Sequence, residues 1–177
     1  MYREPMESIP APLRVEPVDF GPERTSLEGY LDYYRATLLL KCAGLSFDEL
    51  KRRSVAPSTL SLLGLLRHMT RVEQTWFDVR FAGNDVARYY SDPEDPDAVF
   101  NDLDGSSLEE VHALYLATCE RSRRLCKGHD LDERVARIER GADVDLRCIF
   151  VHMIEEYARH CGHADLLREC IDAVKGD

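Results

Sequence analysis

Asp145-Leu-Arg-Cys-Ile-Phe-Val-His152-Met-Ile-Glu155-Glu156-Tyr-Ala-Arg159-His160-Cys-Gly-His163-Ala-Asp-Leu-Leu-Arg-Glu169 is the stretch from which the fold is read. It predicts one long helix. At roughly 100° per residue, with His152 at zero, His163 falls near 20°, Glu156 near 40° and His160 near 80°, so three imidazoles and a carboxylate share a stripe. Arg147, Glu155, Asp165 and Glu169 cluster instead between about 220° and 300°, which marks the solvent face. The stripe borders an apolar arc of Ile149, Met153, Tyr157, Cys161 and Leu167. Polar groups placed there need partners.

Two readings compete for the stripe. Each His can be an interior side chain satisfied by a hydrogen bond, or the set can hold a cation. Glu156 and His160 are four apart, neighbours on one helix face and close enough to share an ion. Helical bundles that bind metals use such pairs from facing helices. A buried Glu without a cation would be costly.

The rest of the chain supplies the facing helices. Residues 1–24, with Pro5, Pro10, Pro12 and Pro17, are expected to form an extended arm, and residues 25–177 a single helical domain. Thr25-Ser-Leu-Glu28 is expected to cap the first helix, whose inner side runs through Leu27, Tyr30, Leu31, Tyr34, Leu38 and Cys42 before Gly44. A short helix is expected after Ser46. The second long helix is expected over about Thr59–Ala82, with His68 beside Leu65, Val72 and Trp76 and with Arg67, Arg71, Gln74 and Asp78 on the other side. An inward His68 is the third ligand that the Glu156/His160 pair lacks.

Residues 83–105 form a long acidic connection, either a functional loop or a surface excursion. The third long helix is expected to open at Ser106/Ser107 with Glu109/Glu110 and to stop at Gly128. A short turn is expected at Asp132–Ile138, and Asp143 or Asp145 to cap the last helix. The fold class expected is therefore all-α: an antiparallel four-helix bundle with long crossover connections.

Composition narrows the functions. The net charge of −10 argues against nucleic acid as the main partner. The one basic cluster, Arg121-Ser-Arg123-Arg124 with Lys127 beyond, reads as a solvated face or a small-anion contact. No apolar run approaches the roughly 20 residues of a membrane span, and the N-terminus lacks the apolar core of a signal peptide. Six cysteines without a Cys-x-x-Cys pair read as reduced, mostly buried thiols. A cytoplasmic location follows as an expectation.

With these residues in place, the chain resembles the DinB/YfiT-like metalloprotein superfamily, and most closely its actinobacterial branch of mycothiol-dependent enzymes. The resemblance covers about Ser26 to Ile171. It is carried by His68-Met ahead of Glu73 and Trp76, and by Glu156-x-x-x-His160-Cys-Gly-His163 with Leu167-Arg-Glu169. That superfamily holds a divalent metal with one His of the second helix and two residues four apart on the last, commonly His-x-x-x-His followed by Arg-Gly-Gln. The resemblance places His160 on the second His of that pattern, Glu156 on the first and His163 on the Gln. Glu at 156 departs from the common pattern and is similar to the Glu-x-x-x-His of mycothiol-dependent maleylpyruvate isomerases.

The resemblance implies a metal set of His68, Glu156 and His160, zinc by donor type, with nickel, manganese or iron as the other options. It also implies mycothiol or a related low-molecular-weight thiol as co-substrate. The expected function is a metal-dependent thiol S-transferase or thiol-assisted isomerase acting on a small electrophile, with His163 or Arg159 orienting the substrate and His152 a further contact candidate. A metal-dependent hydrolase using bound water, and a non-catalytic stress-response metal-binding bundle, are the alternatives. Partners are a small-molecule substrate and a thiol, with neither nucleic acid nor membrane; a homodimer is compatible with the sequence.

Overall fold

The structure, a computed structural model, describes residues 6–137 and 143–176. It is all-α, with 57% of residues helical and no strand among those described. Four long helices carry the fold: α1 (Glu23–Cys42), α3 (Leu62–Glu73), α5 (Leu108–Cys126) and α6 (Leu146–Asp172). Two short ones, α2 (Phe47–Lys51) and α4 (Ala98–Asn101), lie in the connections. No described helix is long and apolar enough to cross a membrane.

Contacts at the helix ends fix the topology. Arg147 at the start of α6 bonds Glu23 at the start of α1, and Arg168 near its end bonds the carbonyls of Lys41 and Ala43. Those two helices are therefore parallel neighbours. α5 packs on α3, with Arg121 near its end reaching Asp78 beyond the end of α3, and this pair is parallel too. Between the pairs the direction reverses, since Phe77 late in the second helix meets Phe150 early in α6. The long connections are what let sequential helices pair in this crossed order.

Local signals account for most of the helix ends. Ser46/Glu49 and Ser107/Glu110 both form complete capping boxes. Asp145, not Asp143, caps α6 by accepting the Cys148 N–H at 2.8 Å. The expected box at Thr25/Glu28 does not form. Pro22 takes the N-cap place with φ −59°, a value its ring enforces, and Glu28 is held by Arg24 at 2.8 Å instead. The second helix starts at Leu62, later than expected, with the Ser61 hydroxyl accepting the Gly64 N–H at 3.1 Å.

That second helix is not α-helical to its end. From Gln74 to Phe81 it widens into a π-helix, a rare form that is frequent near functional sites. Its expected solvent face is also covered. Arg67, Gln74 and Asp78 are buried because the 83–105 connection folds back on them: Gln74 donates to the Ala87 carbonyl and accepts the Tyr89 N–H, both at 2.9 Å, and Tyr90 lies under the Arg67 guanidinium. The connection is thus a cover for polar helix surface. The expected turn at 132–138 is not helical in its described part, where Arg134 bridges Asp145; Ile138 lies outside the described residues.

Residues 1–5 of the expected arm also lie outside the description. From Met6 onward the arm is extended, and Ile9 is buried against Ala43, with the Gly44 N–H bonded to the Ile9 carbonyl at 3.0 Å. Gly44 has φ +76°, which suits glycine at the turn after α1. All six cysteines are free.

Candidate metal site

α3 contributes His68, and α6, packed against it, contributes Glu156 and His160 one turn apart. One ligand atom from each lies within 4.8 Å of the other two. The Glu156 Oε2 is 3.5 Å from the His160 Nε2 and 3.9 Å from the His68 Nε2. Both separations exceed a hydrogen bond. The shorter is close to the ~3.4 Å between ligand atoms that tetrahedral zinc with bonds of about 2.0–2.1 Å requires, and the longer exceeds it by about half an ångström. Three donors face a common point without bonding one another, and the two-nitrogen, one-oxygen set fits a divalent cation. The site belongs to two helices locked by the core around Met69, Met153 and Tyr157.

The surroundings hold each ligand in place. Phe100, from α4, stacks on the His68 ring at 5.2 Å, and the His68 and His160 rings meet edge-to-face at 4.7 Å. The other oxygen of Glu156 faces Arg159 at 3.5 Å and His152 at 3.9 Å. His152 packs on Trp76 at 4.3 Å. His163 is against the far side of His160, with 3.3 Å between their Nδ1 atoms. Arg159 is half exposed and also pairs with Glu155. The sequence-predicted residues thus gather at one place: His68, Glu156 and His160 around the point, His163 behind His160, and Arg159 and His152 on the outer oxygen of Glu156. Phe100 was missed because it lies in a loop segment whose helix, α4, has no cap or periodic signal.

Electrostatics favour the form that binds a cation. Burial pushes the His68 imidazole down to about 4, assisted by His160 and Arg71. Burial also lowers His160, against the pull of Glu156. Neutral imidazoles present lone pairs, as ligation demands. For the metal-free protein the sign follows directly. The unfolded chain binds the His68 proton from pH 6.5 downward and the folded chain only near 4, so stability from His68 is complete above 6.5 and is lost on acidification through that window. The expected loss is of order 3 kcal/mol at most. A thermal-melt series from pH 7 to 4 should show it, and His68→Gln should flatten it.

The four buried thiols are not activated. Burial pushes Cys42, Cys119, Cys126 and Cys161 up to about 12, so none is a thiolate at neutral pH. Cys161 is next to His160 in sequence but points to the Tyr34 carbonyl at 3.8 Å.

Comparison with known families places most of the chain. Residues 26–173 match the model of the mycothiol S-transferase family. No curated protein matches the chain. The match covers both arms of the site, from before His68 to beyond His163, and on it the chain belongs to the mycothiol S-transferase family.

Proposed function

We propose that the protein is a divalent-metal-dependent thiol S-transferase, or an isomerase that works by the same thiol addition, acting on a small electrophile with mycothiol in a cytoplasmic, reducing setting. The observation that carries the reading is the convergence of His68, Glu156 and His160 in a chain of the mycothiol S-transferase family. These three residues would hold the ion, zinc being the best match to two imidazoles and a carboxylate. A bound cation of this kind lowers the pKa of a thiol and keeps it as thiolate at neutral pH.

The residues of the chain do the rest. His68 and His160 stay neutral through burial. Arg159 restrains the outer oxygen of Glu156, and its exposed face is available to a carboxylate of the substrate. His163 steadies the ring of His160 through its Nδ1, an outer contact that typically matters 10–100-fold for affinity or activity. Trp76 and Phe100 wall the site with aromatic surface suited to the apolar body of an electrophile. In transfer, the sulfur forms the new bond to carbon as the leaving group departs with its electron pair; in isomerisation the same carbon–sulfur bond later breaks.

The deciding experiment is elemental analysis of the purified protein followed by turnover of a panel of electrophiles with and without mycothiol. The expected result is a bound divalent ion, and turnover that is abolished either by chelation or by omitting the thiol and restored by adding back what was removed. Metal-dependent turnover without thiol would replace this reading by the hydrolase, and full activity after thorough chelation would remove it.

A further inference from the structure

A cavity lies away from the metal site. Its volume is about 330 Å³, and none of His68, Glu156 or His160 lines it. That size is at the low end of ligand pockets, which run from roughly 300 to 1,000 Å³. Phe150, which lines it, precedes Glu156 by six residues, about 9 Å of rise along α6. Its apolar wall is the pair Phe77 and Phe150, whose rings meet at 5.8 Å and 62°.

Its polar wall is unbalanced. Arg24, Arg35, Arg123 and Lys127 line it together with the two carboxylates Glu28 and Asp32. Three of these cations have partners. Arg24 is held by Glu28 and by the carbonyls of Cys126 and His129, so the negative end of α5 is already covered. Arg35 is held by Glu73 and Asp32, and Arg123 by Asp32. Lys127 has no ion pair among the described residues and is exposed at the rim.

A further polar group is unpaired inside. Ser122 is 2% exposed, lines the cavity and makes no hydrogen bond among the described residues. The contrast with Thr118 one turn earlier is direct, since Thr118 returns its hydroxyl to the Leu114 carbonyl at 2.7 Å. A hydroxyl that lines a cavity and has no protein partner is open to a ligand.

We propose that this cavity is an accessory binding site for a small aromatic monoanion of the aryl carboxylate class. The ring packs on Phe77 and Phe150, edge and face contacts being favourable for aromatic groups. The carboxylate meets Lys127, the one unpaired cation of the wall, and takes a hydrogen bond from the Ser122 hydroxyl. A dianion would exceed the charge available, and a neutral arene would leave Lys127 and Ser122 unused.

The test uses 2-naphthoate as probe, titrated calorimetrically into the full protein in the presence of a chelator. One-to-one saturable binding is expected, with Kd below about 1 mM for a ligand of this size. On the wild-type protein, 2-naphthalenemethanol should bind about tenfold more weakly. Lys127→Glu, a change at an exposed side chain, should weaken naphthoate by about tenfold, and Ser122→Phe should fill the cavity and abolish binding. Should Ser122→Phe not fold, Lys127→Glu and the neutral analogue decide the matter. Absence of saturable binding, equal affinity for the neutral analogue, or unchanged affinity in Lys127→Glu would each overturn the site. Persistence of binding after chelation separates it from the metal centre.

Discussion

Glu156→Gln is expected to lower the affinity for divalent metal by about 100-fold or more, above the 10–100-fold that outer contacts of metal sites typically carry. The amide keeps the shape of the side chain and removes the charge that offsets the cation. The lost charge is on the oxygen that faces both imidazoles, at 3.5 Å from His160 and 3.9 Å from His68. The metal-free fold should change little, because Glu156 makes no buried hydrogen bond and its outer oxygen meets Arg159 only at 3.5 Å. His160→Ala and His68→Ala should act alike, and combined losses should fall far short of their sum, since the three residues act as one unit. Were these side chains simply packed polar groups, each change would cost about 1–3 kcal/mol of stability and leave metal content alone. Metal stoichiometry and melting temperature, measured together, separate the two. Unchanged metal content in both Glu156→Gln and His160→Ala would end the proposed site.

The metal set could be assembled from sequence because its signals are local and periodic. Glu156 and His160 are four apart on one helix, and His68 falls on the inward arc of another, so two helix wheels suffice once the helices are known to touch. Helix starts with Ser and Glu three apart were legible for the same reason, as at Ser46 and Ser107. Thr25/Glu28 misled because a proline three residues upstream starts the turn first. The polar face of the second helix misled for another reason. Arg67, Gln74 and Asp78 look solvated on a wheel, and the return of the 83–105 connection, joined at Asp78 by Arg121 of α5, buries them. Its contacts join residues far apart in position and carry no period. The π-helical turn at Gln74–Phe81 and the parallel pairing of α1 with α6 are tertiary outcomes of the same kind.

Glu73 shows the cost of that blind spot most clearly, and its removal is expected to have the largest effect on stability. It is fully buried in the bundle core, with both oxygens on the Arg35 guanidinium at 2.7 and 2.8 Å and the Tyr157 hydroxyl donating to it at 3.0 Å. Tyr115 closes the network by donating to the Arg35 carbonyl at 3.1 Å. Desolvating such a pair nearly cancels its attraction, so the pair itself adds little. Breaking it is different. Glu73→Ala leaves the Arg35 charge, whose side chain is 6% exposed, facing a cavity with only the half-exposed Asp32 as ion partner, and should cost about 3–5 kcal/mol. In a chain of this size that is a fall in melting temperature of roughly 6–20 °C. Replacing both partners, as in Arg35→Met with Glu73→Leu, should recover most of the loss, because no buried charge is then left alone. Tyr157 follows Glu156 directly in α6, so the single variant should also loosen the metal ligands, and the double variant should restore them along with the fold. A Glu73→Ala protein that melts within 2 °C of the wild type, against the roughly 2–4 °C expected for each kcal/mol, would show that the network does not hold α1, α3 and α6 together.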